Sequence, residues 1–391
     1  MGRGAPAVNS HDAYDVAVIG AGVFGAWIAR YLQLAGKHVV LVDAYGPSNS
    51  RASSGGESRI IRMSYGKDEV YTRFSMRALT LWKEFFQRIG QPLFHRTGML
   101  QPASDDDKIV SDSLTVLQKL GVKTERLSRD DMVKRFPQFA PGKATWALFE
   151  PESGVLMARR AVQALVQETV RAGARYVQGS IQTPTGQGPL ASIITRDGEK
   201  IPAGVFVFAC GPWLPKVFPE LLGQRIFPTR QEVYFFGTPA GDSRFRPPAF
   251  PTWIMRADEM YGMPDIESRG VKIAYDYHGP AIDPDSADRT VTPEFLTRVR
   301  EYFGRLVPAL KDAPLVEARV CQYENTSSGD FLIDRHPDFT NVWLVGGGSG
   351  HGFKHGPALG EYVAKHILEG GAVDPRFLLT TKSTTQQRAV Y

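Results

Sequence analysis

The chain has 391 residues, 42% of them hydrophobic, and a formal net charge of +5 from 46 basic and 41 acidic side chains. That length exceeds one usual domain and predicts two, folded from interleaved segments. Two cysteines exclude a disulfide scaffold and a multi-thiolate zinc site, and scattered basic residues without a recognition motif argue against nucleic acid. No apolar run reaches the length of a membrane span, and the first residues hold neither a hydrophobic signal core nor twin arginine. The expectation is a cytoplasmic protein with no metal and no membrane partner, whose positive balance suits an anionic cofactor or a carboxylate substrate.

Tyr14 to Ile19 is a β-branched run that reads as a buried parallel strand, followed by Gly20-Ala21-Gly22-Val23-Phe24-Gly25 and a helix to Leu34. A second strand, His38 to Val42, ends in Asp43, at the spacing where an acid meets the ribose hydroxyls of an adenosine. The glycines let backbone approach a pyrophosphate, and the helix start offers unpaired N–H groups to its charge. NAD and FAD both use such a unit. Ser53 to Arg62, SSGGESRIIR, is a polar loop containing Ser54 that runs into Arg59 and Arg62, whose spacing predicts one side of a helical turn. Paired arginines suit a carboxylate or a flavin edge.

Helices are predicted over 70–89, 108–120, 128–136 and 159–173, with strands over 96–101 and 174–178 and a turn at Glu150 to Val155. The strand Val205 to Cys210 ends in Gly211-Pro212-Trp213, where the glycine permits close approach and the tryptophan can cover a ligand. Cys210 itself continues an apolar run and reads as a core thiol. From Ile226 to Asp283 short strands between Pro and Gly turns predict an antiparallel second domain. A helix starts at Thr292. The strand Asn341 to Val345 then runs into Gly346-Gly347-Gly348-Ser349-Gly350-His351-Gly352 and a helix from Pro357 to Leu368, a second dipole-positive helix end suited to a reduced flavin. The tail after Leu379 reads as disordered.

In order, GAGVFG with Asp43, SSGGESRIIR, FEPESGV, CGPWL, KIAYDYHGPAIDPD, RVCQYENTSSGDFLID and GGGSGHGFK resemble the sarcosine oxidase, N-methyltryptophan oxidase and L-pipecolate oxidase group of the D-amino-acid-oxidase-like flavoproteins. The resemblance spans nearly the whole chain. It implies an α/β plus α+β fold, a Rossmann-like FAD-binding domain (12–95, 146–222, 322–380) interleaved with an antiparallel-sheet substrate domain (96–145, 223–321) and a flexible tail (381–391). By resemblance, Gly20, Gly22, Gly25, Asp43, Ser54, Arg59, Gly211, Trp213, Gly348, Gly350, His351, Gly352 and Lys354 hold FAD. Cys321 matches the cysteine that forms a thioether to the flavin, Arg62 and Lys354 the pair that binds the substrate carboxylate, and Lys272 the lysine that promotes reaction with oxygen. Tyr261 and Tyr323 match groups lining the substrate cavity.

Two positions depart from the group. Asp276 stands where sarcosine oxidases carry an active-site histidine, and Gly55 replaces a histidine in the first flavin loop. An Asp276 facing the cavity would attract a cationic amine and exclude a second carboxylate, whereas the strand can equally turn it to solvent. Glu324-Asn325 also replaces a more threonine-rich stretch. The resemblance implies a monomeric oxidase of a secondary or N-substituted amino acid, with O2 reduced to hydrogen peroxide. A dehydrogenase using another electron acceptor, an oxidase of primary or glycated amino acids, and a non-catalytic flavoprotein are the alternatives.

Overall fold

The computed structural model describes residues 13–387, built on two large sheets. The first has the strand order Leu332–Arg335, Val342–Gly346, Lys200–Phe208, Tyr14–Ile19, Val39–Asp43, Arg175–Gln178, with Ser192–Ile194 added antiparallel to Lys200–Phe208. Its inner strands run parallel, and Leu332–Arg335 closes one edge antiparallel. Val39–Val42 and Val342–Val345 are buried throughout because the sheet is covered on both faces. The helices Val23–Leu34, Ala158–Arg171 and Gly356–Glu369 pack together in the larger core.

The second sheet has eight strands in the order Leu315–Thr326, Ile226–Phe236, Val271–Tyr275, Met260–Met263, Thr252–Met255, Met99–Ala103, Trp146–Glu150, Glu125–Ser128. All neighbours are antiparallel except Thr252–Met255 beside Met99–Ala103. The helix Pro293–Leu306 seals its outer core through Val299, Phe303 and Leu306. The long strand Leu315–Thr326 pairs with Ile226–Phe236 and places Cys321 opposite Gln231, Tyr323 opposite Thr229 and Glu324 opposite Pro228. Among the described residues no helix is long and apolar enough to cross a membrane.

Three sequence expectations change. Arg59 and Arg62 do not share a helical turn: Arg59–Ile61 is a strand pairing with Gly154–Leu156, so the β-branched Ile60 and Ile61 set the local geometry. Arg62 follows the strand end. The segment after Leu379 is ordered to Gln387, because Lys382 is buried and its Nζ donates to the Arg376 carbonyl at 2.7 Å, while Ser383 N–H donates to Ser327 Oγ at 2.9 Å. The remaining residues 388–391 of that expected tail lie outside the described residues. The strands Trp146–Glu150 and Leu315–Thr326 pair within the second sheet along their whole length, so that sheet keeps the chain to 150 and 326 rather than 145 and 321.

Candidate active site

The first strand and helix of the chain meet at Gly20, whose φ is +106° and whose Cα lies so near the next strand that a Cβ would stand 2.2 Å from the Ala209 carbonyl oxygen. A Cβ on Gly25 would strike the Gly20 carbonyl at 1.9 Å, so Gly25 packs helix on turn and does not itself face a ligand. Gly22, the residue before the helix, meets only Ser54 Oγ at 3.5 Å and leaves space in front of it. Ser54 Oγ accepts the Val23 N–H at 3.1 Å, tying the SSGGESR loop to the helix start. A cavity of about 540 Å³ opens here, lined by Gly20, Gly22, Asp43, Ser54, Gly211 and Trp213.

Asp43 takes on more than the sequence foretold. Its Oδ2 accepts Ala21 N–H at 2.7 Å, and Oδ1 accepts Tyr45 N–H at 2.9 Å and Gly46 N–H at 2.8 Å, so the acid first braces the glycine turn. Burial raises its pKa and those three donors hold it down. Trp213 Nε1 donates to Asp285 at 2.7 Å, and Tyr45 and Trp213 rings lie 5.6 Å apart, which closes the far end of the cavity. Cys210 sits in the same wall with its pKa raised by burial.

A second cavity shares Gly22, Ser53, Ser54, Ala209 and Gly211 with the first and is otherwise walled by Arg59, Tyr323, Gly348, Gly350 and Gly352. The glycine cluster is pressed against its surroundings: a Cβ on Gly350 would lie 2.7 Å from the Tyr323 ring. Behind it begins the helix Gly356–Glu369, preceded by one turn of tighter helix at Phe353–His355.

A third cavity adjoins the second through Arg59, Tyr323, Gly350 and Phe353. It brings together Arg59, Arg62, Tyr261, Lys272, Asp276, Cys321, Tyr323, His351 and Lys354. Lys272 is 2% exposed, and its Nζ donates to the Ser58 carbonyl at 3.0 Å. Burial, and then the Arg59 charge, push its pKa down to about 7. Lys354 is 5% exposed and donates to Tyr65 Oη at 2.7 Å and the His351 carbonyl at 3.0 Å; burial and Arg62 hold its pKa well below the usual range. The Arg62 guanidinium donates to the Ser64 carbonyl and lies over the Tyr65 ring at 4.5 Å.

Asp276 is half-buried and lines the cavity. Its backbone N–H is bonded to the Glu259 carbonyl at 2.6 Å, and Tyr323 Oη donates to its Oδ1 at 3.1 Å. Burial raises its pKa while Arg62 and Tyr323 oppose the rise. Cys321 Sγ is 3.4 Å from an Arg59 guanidinium nitrogen, the cation a reactive thiolate calls for. Arg59 also donates to the Ser53 carbonyl at 2.6 Å.

Sequence reading missed Tyr65 and His355. Tyr65 Oη meets His355 Nε2 at 2.8 Å and His351 Nδ1 at 3.3 Å as well as Lys354, making one buried hub behind Arg62 and Lys354. The spacing of His351 and His355 around Lys354 was the only hint. Arg256 was also missed; burial and Arg62 push its pKa down to about 10, and its Nε donates to Gln101 at 3.2 Å.

Residues 15–366 match the model of the DAO family, FAD dependent oxidoreductase. The chain belongs to that family. It is 32% identical over 385 residues to monomeric sarcosine oxidase of Streptomyces avermitilis, covering 93% of this chain and 98% of the relative. N-methyl-L-tryptophan oxidase of Escherichia coli is 29% identical, with 90% and 94% covered. In structure the chain is similar to L-proline dehydrogenase from P. horikoshii, with TM-score 0.80, 23% identity, and 94% and 97% of the two chains covered, a likeness of fold. The residues present fit FAD: Gly22 leaves open space at a helix start, the 540 Å³ cavity has room for an adenosine, and the glycine cluster leads from it to the cation-lined third cavity.

Proposed function

We propose that this protein is an oxidase of a secondary or N-substituted amino acid. The observation that carries the proposal is the third cavity, where Arg62 and Lys354 converge with Asp276 beside a cofactor cradle. Lys354 uses two of its three N–H donors on Tyr65 and His351, leaving one for a substrate carboxylate, with Arg62 as the second cation. Asp276, with Oδ1 taken by Tyr323, has Oδ2 left for the substrate amine, and it repels a second carboxylate. Tyr261, Ile254, Met263 and Phe235 offer an apolar wall to an N-substituent or ring. The bound flavin would accept the two electrons and hydrogen lost from the C–N bond and pass them to O2 as hydrogen peroxide, the imine then hydrolysing in water.

The protein's part is to hold and tune. Fixing carboxylate and amine at opposite ends orients the C–N bond, and closing it into a cavity excludes bulk water. Lys272 supplies a fixed cation where charge develops on oxygen. Arg59 beside Cys321 supports a covalent thioether link to the cofactor. The name of the Streptomyces relative supports a monomer. The test is a panel of sarcosine, N-methyl, cyclic and glycated amino acids, read as flavin bleaching without oxygen and as peroxide in air. Bleaching and peroxide with at least one N-substituted member are expected; no bleaching by any member refutes the proposal, and bleaching without peroxide refutes its oxidase half.

A further inference from the structure

The second cavity contains an acid with no assigned task. Glu324 is 6% exposed and lines the cavity between the first helix start and the glycine cluster. Its carboxyl lies against Gly346, where a Cβ would stand 2.3 Å from Oε1 and push the carboxyl aside. The N–H groups of Gly347 and Gly348 serve the carboxyl, while Oε1 has no hydrogen-bond partner among the described residues. A buried polar oxygen without a partner costs about 1–3 kcal/mol, a penalty relieved when a ligand supplies the missing bond.

We propose that Glu324 is a cofactor-positioning residue whose carboxyl turns toward bound FAD and hydrogen-bonds it as a neutral carboxylic acid. This inference rests on the family's cofactor and not on the substrate reading above. A carboxylate beside an anionic dinucleotide would repel it, but burial pushes the Glu324 pKa up to about 8, so the neutral acid prevails at pH 7. The titratable groups around it are few. Arg59 and Tyr323 share the cavity, and the Cys210 thiol stands behind its wall, its pKa raised partly by Glu324 itself. Gly346 to Ser349 and the first turn of the helix at Val23 contribute none.

The test measures FAD affinity by flavin fluorescence quenching on apoprotein carrying Cys321→Ser, which keeps the cofactor exchangeable. Glu324, Glu324→Gln and Glu324→Ala are compared between pH 6.5 and 9.5. Roughly tenfold weaker binding is expected for alanine at pH 7, the value of one buried hydrogen bond, with glutamine within about threefold of Glu324. The protein retaining Glu324 should lose affinity as pH rises past about 8, whereas the glutamine variant stays flat. That pH arm needs only the isosteric glutamine at position 324 and survives an unstable alanine variant. Alanine binding FAD as tightly as Glu324, or matching pH profiles for Glu324 and Glu324→Gln, overturns the inference alone. Failure of every protein to bind FAD overturns it together with the fit of the cofactor.

Discussion

Replacing Lys272 by methionine exposes two consequences of one buried charge. Its proton is lost near pH 7 in the folded protein against 10.5 for a free side chain, mainly through burial. Between those values the folded state binds fewer protons than the unfolded chain, so this group's contribution to stability rises with pH through that window. At pH 7 and below it subtracts on the order of 4 kcal/mol. The bond to the Ser58 carbonyl returns about 1–2 kcal/mol of that. Methionine, close in volume, removes both terms, so Lys272→Met should be more stable at pH 7 by roughly 2–3 kcal/mol, and the gain should vanish near pH 10. Urea unfolding at the two pH values measures it. The kinetic consequence runs the other way: loss of the fixed cation should slow reoxidation by O2 about 10²–10³-fold in stopped flow, while anaerobic reduction by substrate keeps its rate. Equal slowing of both half-reactions, or a variant less stable than wild type at pH 7, refutes the reasoning.

Arg62→Ala and Lys354→Met should each weaken binding of a carboxylate inhibitor about 100-fold or more, seen in flavin difference spectra. Acid precipitation of wild type should leave the yellow colour with the pellet, and Cys321→Ser should release it to the supernatant. Asp276 carries a raised pKa, so its grip on an amine is present above that value and lost as pH falls through it; kcat/KM should show an acid limb that disappears in Asp276→Asn. Gly20→Ala forces a Cβ to 2.2 Å from the Ala209 carbonyl at a positive φ and should cost about 3 kcal/mol or more, read as lost soluble expression or a lowered Tm.

What was legible in the sequence was whatever local chemistry dictates. The strand, three glycines, helix, strand and acid at Tyr14 to Asp43 each obey short-range rules, and the first sheet assembles as those rules require. The Arg59 and Arg62 spacing misled because a three-residue offset has one meaning on a helix and another at a strand end, and only the pairing of Arg59–Ile61 with Gly154–Leu156 decides between them. The ordered segment to Gln387 looked like a polar tail because its anchors, Ser327 and Arg225, come from elsewhere in the fold. Tyr65 and His355 were invisible for the same reason: a tyrosine after a strand and a histidine before a helix acquire meaning only when they meet at 2.8 Å.

The charges of the third cavity explain why so much of its chemistry depends on tertiary structure. Arg59, Arg62, Lys272, Arg319 and Lys354 line it, with Arg256 close behind, while Asp276 and Glu57 are the acids in its wall. Such an excess of cations in a poorly solvated space is unfavourable by itself, and the lysines show it by holding their protons weakly. Burying them next to one another lowers stability in the free protein. A bound amino-acid carboxylate, as proposed above, would supply negative charge, relieve that repulsion and strengthen the lysines' hold on their protons. Asp276 offsets part of that positive charge and opposes a second anion placed beside it. On the reading proposed above, the same arrangement that costs stability favours a ligand with a carboxylate and an adjacent amine.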